Sequence, residues 1–139
     1  MAGNRTLAII KPDAFGAGKT GKIIAHLAAQ GFRLICARVL HMSRAEAGAF
    51  YEVHKGRPFY DELVEFMSSA PCMPLVLQKA DAVAGYRAAI GATDPAEAAE
   101  GTVRKLYAES KGRNAVHGSD SDENARIEGT FFFGAAALV

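Results

Sequence analysis

The sequence predicts an α+β sandwich, and three observations carry that reading. Short apolar runs alternate with segments of helical period, in the order β-α-β-α-β-α-β with brief helices between them. The 139 residues contain no internal repeat and no linker, so 1–139 reads as one domain. Half of the residues are apolar and 22% are charged, enough to bury a core beneath a polar surface. Periodicity leaves the pairing of the strands open.

Thr6–Ile10 is the first strand, an apolar run that Lys11-Pro12 stops because proline has no ladder donor. A helix follows from about Lys22 to Gln30, with Ile23, Ile24, Leu27 and Ala28 on one face and Gly31 closing it. Phe32–Leu40 is the second strand. Ser43 and Glu46 have capping-box spacing for a helix reaching about Val53. Lys55-Gly56-Arg57-Pro58 is a turn, and Tyr60–Met67 a short helix. Cys72–Gln78 reads as a third strand that starts after Pro74. Asp81–Ile90 is helical, and residues 91–112 form a long, partly helical excursion of the kind that binds a ligand or another subunit. Ala115–His117 is the last strand and Asp122–Phe132 the last helix.

Composition excludes several classes. A net charge of +1 gives no overall field for nucleic acid or an anionic membrane, so any cationic site must be local. Met1–Arg5 is short and polar with no apolar run behind it, so no signal peptide is expected, and cytoplasm is the expected compartment. The apolar end, Phe131–Val139, is far too short to span a bilayer but prefers burial, which points to an oligomer. Cys36 and Cys72 have no metal spacing, and Cys36 sits in an apolar run as a reduced core thiol would. Gly16-Ala17-Gly18-Lys19-Thr20-Gly21 spells a dinucleotide-binding pattern. Five residues intervene between strand and glycines, and no acidic residue ends the next strand, so the pattern fails. Gly18-Lys19-Thr20 imitates a P-loop, but Asp13 stands where its first glycine belongs.

Asn114-Ala115-Val116-His117-Gly118-Ser119-Asp120-Ser121 holds the candidate chemistry. An apolar pair delivers His117 to the end of a strand, Gly118 permits a reversal, and Ser119, Asp120 and Ser121 are N-cap types. Asp120 and Glu123 have capping-box spacing, which sets the imidazole beside free helix N–H groups that suit an anion. A lone histidine is ordinarily structural. Glu128, eleven residues on, changes that: a carboxylate on one ring nitrogen leaves the other with the lone pair a nucleophile needs.

These residues resemble the active-site signature of the nucleoside diphosphate kinases, Asn-x-x-His-Gly-Ser-Asp, which residues 114–120 match throughout. The likeness runs from Thr6-Leu-Ala-Ile-Ile-Lys-Pro-Asp13 to the Phe131–Phe133 cluster. It implies a ferredoxin-like fold, a four-stranded antiparallel sheet covered by helices. It also implies ping-pong transfer of a γ-phosphate, mainly from ATP, to a nucleoside diphosphate through a phosphohistidine on His117, with low base specificity. Position by position, Lys11, Arg87, Thr93, Arg104 and Asn114 match the residues the family uses for the triphosphate. Arginine suits that task because its planar fork grips phosphate oxygens in pairs. Phe59 matches the base-stacking aromatic, and Tyr51, Ser119 and Glu128 match supporting positions around the histidine, Glu128 orienting the ring and Ser119 holding that carboxylate. Mg²⁺ is implied as the cofactor, held by nucleotide phosphates and water with no protein ligand; the absence of a carboxylate cluster in the sequence agrees. A homo-oligomer, tetramer or hexamer, is implied as well.

The sequence departs from the family pattern at Lys105-Leu106-Tyr107, at Gln78-Lys79 and at Lys111, where an aliphatic residue usually lies against the base. Two rival functions remain to be weighed. RNA-recognition domains share the ferredoxin-like plan, but Arg57-Pro58 stands where their aromatic motif needs an aromatic and a small residue. A regulatory domain without activity has no reason to keep every catalytic position.

Overall fold

The computed structural model describes residues 3–134. Four strands, β1 (Arg5–Ile10), β2 (Arg33–Ala37), β3 (Met73–Gln78) and β4 (Val116–Gly118), pair antiparallel in the order β2-β3-β1-β4. The helices are α1 (Pro12–Gly16), α2 (Thr20–Ala29), α3 (Arg44–Phe50), α4 (Tyr60–Ser68), α5 (Ala82–Ile90), α6 (Val103–Tyr107) and α7 (Asp122–Phe133). This is the ferredoxin-like plan.

Strand β1 is buried on both faces, which is why it reads as an unbroken apolar run and not as an alternation. Its side chains alternate between two cores. Ala8 and Ile10 pack with Ile23 and Leu27 of α2, Tyr86 and Ile90 of α5, and Val103 of α6. Leu7 and Ile9 pack with Ala47 of α3, Val64 and Met67 of α4, and Phe132 of α7. The last strand lies against this doubly buried one, with Ile9 opposite His117.

Several elements differ from the sequence reading. The chain turns helical immediately after β1, because Pro12 sits at the first position of α1, where its fixed φ is preset for a helix. Helix α2 starts at Thr20, and of its expected apolar face Ile23 and Leu27 are buried while Ala28 is exposed. Gly31 closes it as expected, at φ 93, with Phe32 N donating to Leu27 O and Gly31 N to Ala28 O. Strand β2 ends at Ala37 after a bulge between Leu34 and Cys36, and Leu40 returns only as an isolated bridge to Cys72.

Pro74 lies inside β3, opposite Ile9, and does not delay the strand's start. Its carbonyl accepts from Arg38 N, so its missing donor faces the side where β2 has already ended. The Ser43–Glu46 capping box forms in full, but α3 stops at Phe50 and a 3₁₀ turn, Glu52–His54, carries the chain on. The cap of α7 is Ser121, whose hydroxyl accepts from Asn124 N, and not Asp120. Gly118 makes no reversal: it belongs to β4 and is not among the positive-φ glycines. It is small because Tyr86 occupies the space a side chain would need. Both cysteines are free. Residues 135–139, most of the apolar end, lie outside the described residues.

Candidate active site

His117 is held from four directions. Pairing with β1 fixes its backbone, and Tyr86 Oη donates to its carbonyl at 3.1 Å. Phe50 and Tyr51 meet the imidazole edge-on, with ring centroids 5.5 and 6.2 Å away. Glu128, one turn from the end of α7, places Oε1 2.7 Å from Nε2 and also receives the Ser119 hydroxyl at 2.8 Å. With the carboxylate as acceptor, the tautomer of the neutral ring that satisfies this contact carries its proton on Nε2 and its lone pair on Nδ1. Tyr51 is buried, and its hydroxyl has no hydrogen-bond partner among the described residues. Burial and the nearby Glu128 carboxylate push its pKa far above the usual phenol value.

A second cluster gathers along β4 and the residues that lead into it. Lys11 Nζ donates to Asn114 Oδ1 at 2.9 Å, and Asn114 Nδ2 donates to Thr93 O at 3.3 Å. Arg104, only 8% exposed, donates to Asn114 O, Gly91 O and Val116 O at 3.3, 3.0 and 2.8 Å. Arg87 reaches Gly118 O at 3.5 Å. The helices explain these positions. Thr102 caps the short α6, its hydroxyl accepting from Lys105 N, and Val103 and Arg104 in the first turn of that helix are buried. Burial and Arg104 together lower the Lys11 ammonium to about 8. Burial also lowers Arg104. Cations crowded in this way are poised for a polyanion, whose arrival offsets their mutual repulsion.

Two hollows of about 590 and 440 Å³ adjoin the cluster and share Thr93. Lys11, Phe59, Leu63, Lys111 and Asn114 line the larger, and Arg87, Gly91, Thr102 and Arg104 line the smaller. Phe59 is 46% exposed on the wall of the larger hollow and is no part of the core. His117 lines neither hollow, and Arg104 and Arg87 join it to them through the carbonyls of Val116 and Gly118.

A model of the nucleoside diphosphate kinase family matches residues 4–138. The chain belongs to the nucleoside diphosphate kinase family. The nucleoside diphosphate kinase of Chlorobaculum parvum is 59% identical over 135 residues, spanning 97% of this chain and 96% of that one. The solved Aquifex aeolicus nucleoside diphosphate kinase superposes with a TM-score of 0.94 at 42% identity, covering 99% of this chain and 100% of that chain. For the Encephalitozoon cuniculi nucleoside diphosphate kinase the TM-score is 0.90 at 35% identity, covering 94% and 89%.

Within this family frame, three neighbours of the site escaped sequence reading. Tyr86 and Phe50 carry no polar pattern that distinguishes them from core aromatics. His54 stands between Tyr51 and Phe59, with centroids 6.3 and 5.3 Å away, and so links the surroundings of His117 to the hollow that Phe59 lines. Nothing in its sequence neighbours, Glu52, Val53, Lys55 and Gly56, marks it out. The departures from the family pattern have plain consequences. Lys79 donates to Gln30 O and covers the Phe32 ring, Lys105 faces solvent, and Lys111 lines the hollow beside Phe59.

Proposed function

We propose that this chain transfers the γ-phosphoryl group of a nucleoside triphosphate, mainly ATP, to a nucleoside diphosphate by way of His117. The observation that carries the proposal is the 2.7 Å contact between Nε2 and Glu128, which leaves Nδ1 unprotonated. Nδ1 attacks the γ-phosphorus, the bond to the bridging oxygen breaks, and the nucleoside diphosphate leaves. The positive charge gained by the ring is offset by Glu128. A second diphosphate then attacks phosphohistidine through its terminal oxygen and restores the imidazole.

Lys11, Arg87, Thr93, Arg104 and Asn114 bind and orient the polyphosphate, and their work is positioning and charge neutralisation. Phe59 offers the base a ring face. Tyr51 supports His117, and Ser119 holds Glu128. Mg²⁺ fits this donor set as a companion of the nucleotide. Besides Lys11, Arg87, Arg104 and neutral groups, each hollow has one carboxylate on its wall, Glu62 in the larger and Glu97 in the smaller, and among the described residues no three His, Cys, Asp or Glu side chains gather to hold an ion. Phosphate oxygens and water would hold it, and when bound it neutralises charge on the phosphates.

The reading includes a cytoplasmic homo-oligomer, tetramer or hexamer. Leu34 on the edge strand and Val39 beyond it, 44% and 56% exposed, support self-association. No described helix is long and apolar enough to cross a membrane. Light scattering separates the oligomers. For the chemistry, brief mixing with ATP labelled at the γ-phosphate, then denaturation, should leave acid-labile, base-stable label on His117. Label on any other residue would overturn the mechanism.

A further inference from the structure

Ala115 is an L-residue at φ 74, fully buried, at the point where the chain enters β4. Val116 N donates to Asn114 O at 2.8 Å, closing a three-residue reversal around it. A γ-turn with a positive central φ is strained and persists only where the surroundings hold it. Both holding bonds come from one segment. Lys11 N donates to Ala115 O at 2.8 Å, and Asp13 Oδ2 accepts from Ala115 N at 3.0 Å. The second bond lies inside the protein: Asp13 is only 6% exposed, and its other oxygen has no hydrogen-bond partner among the described residues. The Lys11 charge nearby offsets part of the cost of burying this carboxylate, but the one hydrogen bond the carboxylate makes among the described residues goes to the Ala115 amide.

What it fixes is the step between two functional groups. On one side of the reversal is Asn114, bonded to Lys11 Nζ and Thr93 O at the edge of the larger hollow. On the other, two residues past Ala115, is His117. No other side chain is recorded on the Ala115 amide among the described residues. We propose that Asp13 is a positioning residue, whose carboxylate clamps the strained reversal at Ala115 and so sets the nucleotide cradle of Lys11 and Asn114 against His117. The role rests on the phosphoryl transfer proposed above. Asp13 touches neither substrate nor the reacting nitrogen; it acts through the Ala115 amide.

Two phosphoryl donors separate this role from a merely structural one. ATP needs the cradle, whereas phosphoramidate, a small donor without a nucleotide, needs only access to the imidazole. In single-turnover labelling at saturating donor, Asp13→Ala should slow labelling by ATP more than fivefold and labelling by phosphoramidate less than fivefold. Asp13→Asn keeps an oxygen for the Ala115 amide and should stay within fivefold of wild type with both donors. Asp13→Ala combined with Ala115→Gly should regain part of the ATP rate, since glycine takes a positive φ without strain. ATP labelling of Asp13→Ala within fivefold of wild type overturns the proposal. So does an equal fall with both donors, or an Asp13→Asn as slow as the alanine variant. If Asp13→Ala does not fold, Asp13→Glu takes its place: its longer stem displaces the acceptor, and unchanged ATP labelling again overturns the role. Wild-type protein that takes no label on His117 from ATP defeats the parent mechanism instead, whatever the variants do.

Discussion

Tyr86 stands where a side chain at residue 118 would have to go: a methyl on Gly118 would lie 2.7 Å from its Cε2 atom. The same tyrosine donates from its hydroxyl to the carbonyl of His117 at 3.1 Å. The ring that forces residue 118 to be glycine therefore also holds the neighbouring histidine by its backbone. Gly118→Ala must push either Tyr86 out of a filled core or β4 away from it. Overpacking of this kind costs about 1–3 kcal/mol. The melting temperature should fall, and phosphorylation of His117 should slow because its backbone shifts. Tyr86→Phe keeps the ring and loses one hydrogen bond, about 0.5–1.5 kcal/mol. A Gly118→Ala protein with wild-type melting and phosphorylation rate would refute the close packing.

Glu128→Gln should bind nucleotides normally and phosphorylate slowly. The amide still reaches Nε2 but no longer offsets the charge that develops on the ring. A hydrogen bond to a charged group is worth about 1.5–3 kcal/mol, so single-turnover phosphorylation should fall roughly 10- to 100-fold. Ser119→Ala, which removes the hydroxyl that steadies Glu128, should cost less. A Glu128→Gln rate equal to wild type would make the contact purely structural.

Lys11 predicts a pH dependence of binding. Its ammonium is lowered from the usual 10.5 to about 8 by burial and by Arg104. In the free protein it is charged below pH 8 and neutral above, so a polyphosphate bound above pH 8 must recruit a proton. Affinity for ADP should be flat below pH 8 and weaken above it, approaching tenfold per pH unit. Stability runs the other way. The unfolded chain keeps this proton up to about 10.5 and the folded chain releases it near 8, so the penalty of burying the charge is full below 8 and eases between 8 and 10.5. Calorimetric titration with ADP from pH 7 to 9.5 checks the first statement. The slope should vanish in Lys11→Met, and a slope that survives there belongs to another group.

Nucleotide choice should be broad. On the proposed reading Phe59 stacks on any base, a contact worth roughly 1–3 kcal/mol, and the cationic and amide groups of the cradle bind phosphate, which carries no base identity. Phe59→Ala should therefore weaken adenine, guanine and pyrimidine diphosphates by similar factors. Lys111 shares the hollow with Phe59 and can lay its methylenes along the second face of the base. Ordering that stem costs up to about 2 kcal/mol, so Lys111→Leu should be neutral or tighten binding. Competition assays across four bases test this, and a thousandfold preference for one base would show a reading pocket.

The sequence by itself determined what local chemistry can encode. The unbroken apolar run of β1, the Ser43–Glu46 box and Gly31 after α2 each follow from a few adjacent or helically spaced residues. Family resemblance supplied the ferredoxin-like sheet and the residues proposed to bind phosphate. Tertiary structure decided the rest, because it depends on groups far apart in the chain. Gly118 read as a turn glycine until Tyr86, thirty-two residues earlier, claimed its side-chain space. Pro74 read as a strand breaker because the sequence does not show that its missing donor faces the spent end of β2. Asp13 read as the residue after a proline, and only the fold brings its carboxylate to the Ala115 amide 102 positions away. Backbone strain, edge position and burial are properties of neighbours, and the sequence names neighbours only along the chain.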